Sequence, residues 1–294
     1  MRERSAFTMI ELIFVIVIMG IIGKFGVEFL AQAYKSFIFS SINNTLQQNS
    51  ASALEFIGKR LQYRIRDSVI VRQGAGTTPI ALGSAPANNI NVLEWVASDS
   101  NGFRGTTAPN WSGIVDLNVG NANFLASPGS DTGAINTLIS KLSYGNSGIA
   151  QSALFFLGAN SDIETGYGWD GNLTAVSAQQ GAMHPIDVFS GNVSRYTPLT
   201  GSFSGVDVYE YYKLAWTANA IVYESGDNNK GALRFYYDYQ PWLGESYSDG
   251  KSALIMENVS TFTFMAIDAI IKIKVCVKSD LIEEYSLCKE KTIL

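Results

Sequence analysis

The chain has 294 residues, with 21 basic and 26 acidic side chains and a net charge of −5 at neutral pH. This length accommodates one large domain or two small ones. General nucleic-acid binding rests mainly on Lys and Arg side chains that neutralise phosphates, so the acidic balance argues against that class of partner. The 27 glycines, together with Asn, Ser and Thr in the middle of the chain, suit a loop-rich extracytoplasmic β domain.

The first feature along the chain is an apolar run at residues 7–22, FTMIELIFVIVIMGII, which comes after the short charged stretch MRERSA. Glu11 lies inside this run, where a carboxylate in lipid costs about 2.5–3.5 kcal/mol on insertion scales and marks a functional position by default. Nothing nearby in the run is expected to pair with it. A free α-amine at Phe7 is a candidate partner, and it exists only if the chain is cut after Ala6.

The order of these features closely resembles the N-terminal signal of type IV pilins and type II secretion pseudopilins. In that family a prepilin peptidase cuts before the Phe and N-methylates it, and a Glu five residues into the mature chain docks against the N-terminus of a neighbouring subunit. The resemblance implies processing between Ala6 and Phe7 and a docking role for Glu11. The family usually has Gly before the cut, whereas this chain has Ala6.

Three other interpretations of the run compete. A secretory signal peptide should end in a small-x-small cleavage site, which Ile21-Ile22-Gly23 does not supply. A plain signal anchor carries the Glu only by accident. A buried helix of a soluble core does not suit a run at the start of the sequence. The two arginines of the leader place it on the cytoplasmic side by the positive-inside rule, so the head is expected in the periplasm and the helix in the inner membrane.

A helical pattern continues beyond the run. Apolar residues recur every three or four positions from Leu30 to Ile65, with one polar interruption at Ser50. No proline occurs before residue 79. The pattern predicts one helix from Phe7 to about Ser68, roughly 90 Å long at 1.5 Å per residue. We expect a leader at 1–6, a transmembrane or filament-core half at 7–29, an amphipathic half at 30–72 and a β-rich head at 73–294.

The head is predicted to be a β structure. Short strands are indicated at 90–96, 153–157 and 186–189, and their order cannot be assigned from the pattern. Period-two alternation around Leu214, Phe235, Phe264 and Ile273 predicts an antiparallel meander with one buried face. The predicted class is therefore α+β, a long N-terminal helix packed on an antiparallel sheet, which is the pilin-like arrangement. The segment 254–264 with the lysine-spaced strand after it resembles J-type minor pseudopilins and W-type minor pilins.

The two cysteines, Cys276 and Cys288, are close in sequence. Beyond the inner membrane such a pair is expected to form a disulfide, and Cys276 should lie on the lysine side of its strand, away from the core. Two unpaired core thiols are the alternative. A zinc site lacks a recognisable ligand set, because the chain has one histidine.

No enzyme, metal or cofactor signature appears in the sequence. His184 lacks the motifs that accompany a catalytic base and is predicted to lie in a surface turn. Polar loops at 98–102, 162–171 and 226–231 offer oxygen ligands for calcium without matching an EF-hand. Aromatic residues at Tyr209, Tyr211, Tyr212 and Trp216 suggest either stacking on a ligand or ordinary strand packing, and we favour packing.

The expected function is that of a minor pilin or pseudopilin subunit at the tip or in the priming complex of a filament. The resemblance implies other subunits, the prepilin peptidase and an inner-membrane assembly platform as partners, with no cofactor. The alternative is a filament-tip binding module, an adhesin or a DNA-uptake pilin. Exposed aromatic or basic residues at the end of the head distal to the membrane would favour it. An anchored extracytoplasmic enzyme requires a cleft of convergent polar groups.

Overall fold

The computed structural model describes residues 8–86, 90–159, 162–172, 174, 181–281 and 285–294. The predicted processing residues Ala6 and Phe7 lie outside the described residues. The fold is α+β, as predicted: a long apolar helix at the start of the chain precedes two antiparallel sheets.

Helix α1 (Met9–Gln62) is 54 residues long, or about 80 Å at 1.5 Å per residue. It ends about six residues before the predicted end. After Tyr63 the chain turns to pair with a strand: Arg64 forms a β-bridge with Ala97, and the Ile65 amide donates to the Val96 carbonyl at 2.9 Å. Sheet pairing therefore ends the helix, and a short 3₁₀ turn (Arg66–Ser68) completes the corner.

The two halves of α1 have different environments. Every residue from Thr8 to Ser41 is exposed except the half-buried Ile38, although most of these side chains are apolar. From Ile42 onward, the predicted stripe packs on a sheet. Ser50, the polar interruption in the pattern, lies on the same buried face. Its side chain is buried, and its Oγ donates to the Leu46 carbonyl at 2.7 Å. The helix is long and apolar enough to span a membrane.

The described residues also form two short α-helices, fourteen strands and several 3₁₀ turns. The helices are α2 (Ser100–Arg104) and α3 (Thr132–Leu142). The strands are β1 (Ile70–Arg72), β2 (Ile80–Ala81), β3 (Val92–Ala97), β4 (Asp116–Asn121), β5 (Phe124–Ala126), β6 (Ala153–Phe156), β7 (Met183–Val188), β8 (Arg195–Pro198), β9 (Tyr212–Ala215), β10 (Thr217–Glu224), β11 (Gly231–Tyr239), β12 (Lys251–Ile267), β13 (Ile270–Lys278) and β14 (Ser286–Ile293).

The strands form two sheets. The first, called the main sheet, has eight strands in the order β14-β13-β12-β11-β10-β3-β1-β2, and the second has six in the order β4-β5-β8-β7-β6-β9. All neighbours are antiparallel. All six strands of the second sheet come from one long segment of the chain between β3 and β10, called the excursion below.

The predicted C-terminal meander is correct for β11, β12 and β13 but not for its first strand. Residues Tyr212–Ala215 pair with β6 in the second sheet, with Leu214 opposite Leu154. The chain crosses to the main sheet at Trp216. The alternation of Tyr212, Leu214 and Trp216 predicts a strand but carries no information on which sheet it joins. Neither β10 nor β14 was among the predicted strands.

The main sheet has apolar cores on both faces near its centre. One core lies against α1 and includes Ile57, Leu61 and Trp95. The other includes Val96, Trp169 and further residues of the excursion. Consequently β3 is buried on both faces. A third core joins the second sheet to α3 through Ile135, Ile139 and their neighbours.

We expect Leu61→Ala to lower the free energy of unfolding by about 2–5 kcal/mol, because it leaves a cavity between α1 and the main sheet. Leu61 is fully buried. Chemical denaturation of the full chain in detergent, monitored by near-UV circular dichroism, measures this. Lys59→Ala, at an exposed position on the same helix, is the matched control and should change stability by less than about 0.5 kcal/mol. Equal losses in the two variants would show that the helix-sheet contact does not hold the head together.

Candidate functional site

The first candidate site is the start of α1. Thr8 is the N-cap residue, and its backbone amide and hydroxyl donate to Oε2 of Glu11 at 3.1 and 3.0 Å. The Glu11 amide in turn donates to the Thr8 hydroxyl at 3.4 Å. This is a capping box, in which a threonine and a glutamate three residues later satisfy the first free amides of a helix.

The capping box corrects the expectation that nothing near Glu11 in the run can pair with it. The T-x-x-E spacing in the sequence is the signal that could have revealed the contact. Only Oε2 is engaged, and Oε1 has no hydrogen-bond partner among the residues that the structure describes. The capping box therefore engages the carboxylate through Oε2 and leaves Oε1 able to accept a hydrogen bond from another molecule.

The apolar segment after Glu11 forms the second part of this site. Gly20, Gly23 and Gly26 recur there at three-residue spacing, and a Cβ added at any of them would meet no atom within 4 Å. Within one chain these glycines therefore serve no packing role. Small residues on an exposed apolar helix allow close approach of other helices in lipid.

The second half of α1 is joined to the last strand of the main sheet. The Tyr285 hydroxyl donates to Oδ1 of Asn43 at 2.9 Å, and Nζ of Lys289 donates to the Gln47 carbonyl at 3.0 Å. Lys291 forms an ion pair with Glu55 on the next turns of the helix. These contacts extend along three turns of α1, so they set the direction in which the exposed half projects from the head.

Cys276 and Cys288 form a disulfide that links neighbouring strands β13 and β14, where they are directly opposite each other. Cys276 does not belong to the core beneath α1, whereas its neighbours Val275 and Val277 do. The bridge therefore lies on the other face of the sheet. It closes a hairpin with a sequence separation of 12 residues and fixes the strand that contacts the helix.

A buried ion pair lies within the main sheet, and its arginine also contacts the excursion. Nε of Arg72 lies 2.8 Å from Oε1 of Glu94, and the Tyr239 hydroxyl donates to Oε2 of Glu94 at 3.0 Å. Arg72 also donates to the carbonyl oxygen of Trp169 at 2.7 Å. Burial raises the pKa of Glu94, while Arg72 and Tyr239 act in the opposite direction. The sequence offered no pairing signal, since these groups come from distant segments.

Asp238 provides a second buried link. Its side chain is fully buried and accepts a hydrogen bond from the Ser147 hydroxyl at 2.5 Å, while Nζ of Lys251 lies 2.9 Å away. Lys251 also donates to the carbonyl of Ser143 in the loop after α3. The loop is thereby fastened to β11 and β12. The buried contacts of Arg72 and of Asp238 thus hold the excursion against the main sheet.

The histidine and the calcium-ligand candidates from the sequence have structural roles. His184, predicted in a surface turn, is a buried residue of β7 beside the Phe156 ring, at 5.2 Å between ring centroids. Among the possible calcium ligands, Asp99 caps α2 by accepting from the Gly102 amide at 3.0 Å, and Asp162 accepts from the Thr165 amide at 3.0 Å. No cluster of three metal-ligating side chains occurs in the described part of the chain.

The aromatic group divides into two pairs. Tyr212 and Trp216 are buried in the core of the second sheet, as the packing interpretation predicts. Tyr209 and Tyr211 are 37% and 52% exposed, so the packing interpretation is incomplete for them.

Comparisons of the chain with protein-family models, with curated proteins and with solved structures give no significant match. The architecture itself, a long apolar N-terminal helix packed on an antiparallel sheet, is consistent with a pilin-like arrangement.

Removal of the disulfide tests the role of the β13–β14 hairpin. We expect the Cys276→Ala/Cys288→Ala double variant to lose about 3 kcal/mol of unfolding free energy, because a closed loop of this size restricts the unfolded chain. Urea denaturation with and without dithiothreitol measures the loss. Reductant should destabilise the parent chain and leave the double variant unchanged. An equal response of both chains to reductant would contradict this role.

Breaking the buried ion pair should lower the free energy of unfolding far more than breaking an exposed one. Glu94→Gln leaves Arg72 buried without its counter-ion, and we expect a loss of about 3–5 kcal/mol. The matched control is Glu224→Gln, which removes an exposed partner of Arg234. It should lower the free energy of unfolding by at most about 1 kcal/mol. Urea denaturation of both variants gives the comparison. Similar losses would mean that Arg72 finds compensation elsewhere.

Proposed function

We propose that this chain is a subunit of a type IV pilus or type II secretion pseudopilus that assembles through the exposed half of α1. The single observation that carries the proposal is the solvent-facing apolar helix from Met9 to Phe39, which begins with a pre-oriented carboxylate and continues without a break into the head. An apolar surface of this size needs lipid or other helices around it.

The two environments of α1 explain how one segment serves both stages of assembly. In the inner membrane the lipid surrounds the apolar side chains, and the head lies in the periplasm. In a filament, helices of other subunits replace the lipid, so the same surface stays out of water throughout. The packed half of α1 keeps its contacts with the main sheet in both states.

Glu11 provides the specific contact in this scheme. In the isolated subunit the capping box satisfies one of its oxygens through Thr8. The other oxygen, Oε1, then accepts the N-terminal amine of a neighbouring subunit, whose mature chain begins at Phe7 after removal of Ala6 and the rest of the leader by the prepilin peptidase. An ion pair in an apolar surrounding fixes the register of two helices.

The size of the head supports a position at the filament tip or in the priming complex. The described head includes both sheets and three separate cores. Such a bulk at every position of a thin fibre would separate the helices that must pack together. The partners in this scheme are other pilin or pseudopilin subunits and the inner-membrane assembly platform, with no nucleic acid and no catalytic role.

The experiment that tests processing is intact-mass and N-terminal analysis of protein extracted from the native host membrane. A mature chain that begins with N-methylated Phe7 is the expected result. A chain that still carries residues 1–6 in cells with an active prepilin peptidase would overturn processing. A start near Lys24 would indicate ordinary signal-peptide removal and would overturn the filament proposal.

Substitution of Glu11 tests assembly separately. We expect Glu11→Ala to insert into the membrane normally but to reduce filament-associated protein by at least about tenfold, the factor that corresponds to a loss of 1.4 kcal/mol. The matched control is Glu28→Ala, which removes an exposed carboxylate of the same helix near Lys24. Immunoblots of sheared filaments and of membranes measure the two pools. Normal filament incorporation of Glu11→Ala would contradict the docking role.

A further inference from the structure

A groove of about 470 Å³ lies where α1 ends, between α2 and the edge strand β9. Gln62 and Tyr63, at the end of the helix, form part of its wall. The apolar exposed segment of α1 ends near Phe39, which is 23 residues or about 35 Å earlier along the helix. The groove therefore lies beside the end of α1 that is remote from its exposed apolar half.

The groove has an apolar surface that faces solvent. Phe103, Ile114, Leu157 and Tyr211 line it and are between 43% and 52% exposed. They come from four separate segments of the chain, so the fold brings them together. A contiguous exposed apolar patch on a soluble head indicates an interaction surface.

The floor beneath these side chains is fixed. Trp111 is 3% exposed, and its indole N–H donates to the carbonyl and the carboxylate of Asp99, both at 3.2 Å. The Phe103 ring lies on Trp111, with 4.8 Å between centroids. Below it, the Tyr212 hydroxyl is hydrogen-bonded to Ser127 at 2.8 Å and to Tyr196 at 3.0 Å. A preformed floor lowers the ordering cost of binding.

The rim of the groove is positively charged. Arg104 and Lys213 line it, and neither forms an ion pair with any described residue. Arg104 donates only to the Tyr63 hydroxyl, at 2.8 Å. Burial lowers the pKa of Lys213, and Arg66 and Arg64 lower it further, against an opposing effect of Asp67. Both cations thus line the groove without an ion pair among the described residues, and Asp67, the acid that acts on Lys213, is not part of the lining.

We propose that this groove binds a peptide segment of another protein, one with an aromatic or large aliphatic side chain next to one or two carboxylates. The apolar side chain fits against Phe103 and Tyr211, and a carboxylate fits between Arg104 and Lys213. The two rim cations match one or two carboxylates, whereas a nucleic-acid strand needs a longer basic track, which a net charge of −5 does not favour. The inference does not depend on filament assembly.

The test is selection from a random peptide library displayed on phage, with the full chain in detergent micelles as target. We expect the selected peptides to share an aromatic or aliphatic residue beside Asp or Glu. Synthetic copies are then titrated by fluorescence anisotropy. Lys213→Glu and Tyr211→Ser should each weaken binding by about tenfold or more, which corresponds to 1.4 kcal/mol.

Matched controls separate the groove from general effects of charge and exposure. Lys141→Glu changes an exposed lysine of α3, and Tyr144→Ser changes a tyrosine that is 84% exposed, and neither lines the groove. Both should bind the selected peptides as the parent chain does. Near-UV circular dichroism of each variant identifies any that fail to fold, and Arg104→Gln and Phe103→Ser then replace the affected groove variants.

Four results would overturn the proposal. They are the absence of any enriched sequence, enrichment of peptides without an acidic residue, binding that the groove variants leave unchanged, and tighter groove-dependent binding of a thymidine oligonucleotide, which would identify the site as a single-strand site. None of these readouts involves filament formation, so failure here and failure of the assembly proposal are distinguishable.

Discussion

The rest of the structure depends on the contact between the second half of α1 and the main sheet. One continuous helix has an apolar surface along its whole length, and only the part from Ile42 onward finds cover within the chain. Ile57 and Leu61 have no exposed surface, so the helix cannot slide or rotate without opening the core. The head thus holds one end of the helix, while the other half keeps its apolar surface exposed.

The excursion between β3 and β10 uses the opposite face of the same sheet. Because both faces of the central strands are buried, a charged residue such as Glu94 can exist there only with a partner, and Arg72 supplies it. Asp238 and Lys251 fasten the loop after α3 in the same way. Most residues that line the groove come from the two ends of this excursion, where the chain leaves β3 and returns to β10.

Periodicity in the sequence predicts the regular elements, but it fails where distant segments meet. The stripe from Ile42 to Leu61 was predictable because a helix places every third or fourth residue on one face. The end of α1 was not, because the pairing of Arg64 and Ile65 with β3 is a tertiary event. Sheet membership of β9, burial within β7 and the groove itself were unpredictable for the same reason. The partner of Glu11 was readable from the T-x-x-E spacing.

The disulfide has a mechanical consequence. A pulling force on α1 enters the head through its contacts with Lys289 and Lys291 of β14 and with Tyr285 just before that strand. Strand β14 is at the edge of the main sheet and has one strand neighbour, β13. Hydrogen bonds alone would let such an edge strand peel away under load. The covalent bridge between Cys276 and Cys288 ties it to the next strand, so tension spreads across the sheet instead of concentrating at its margin.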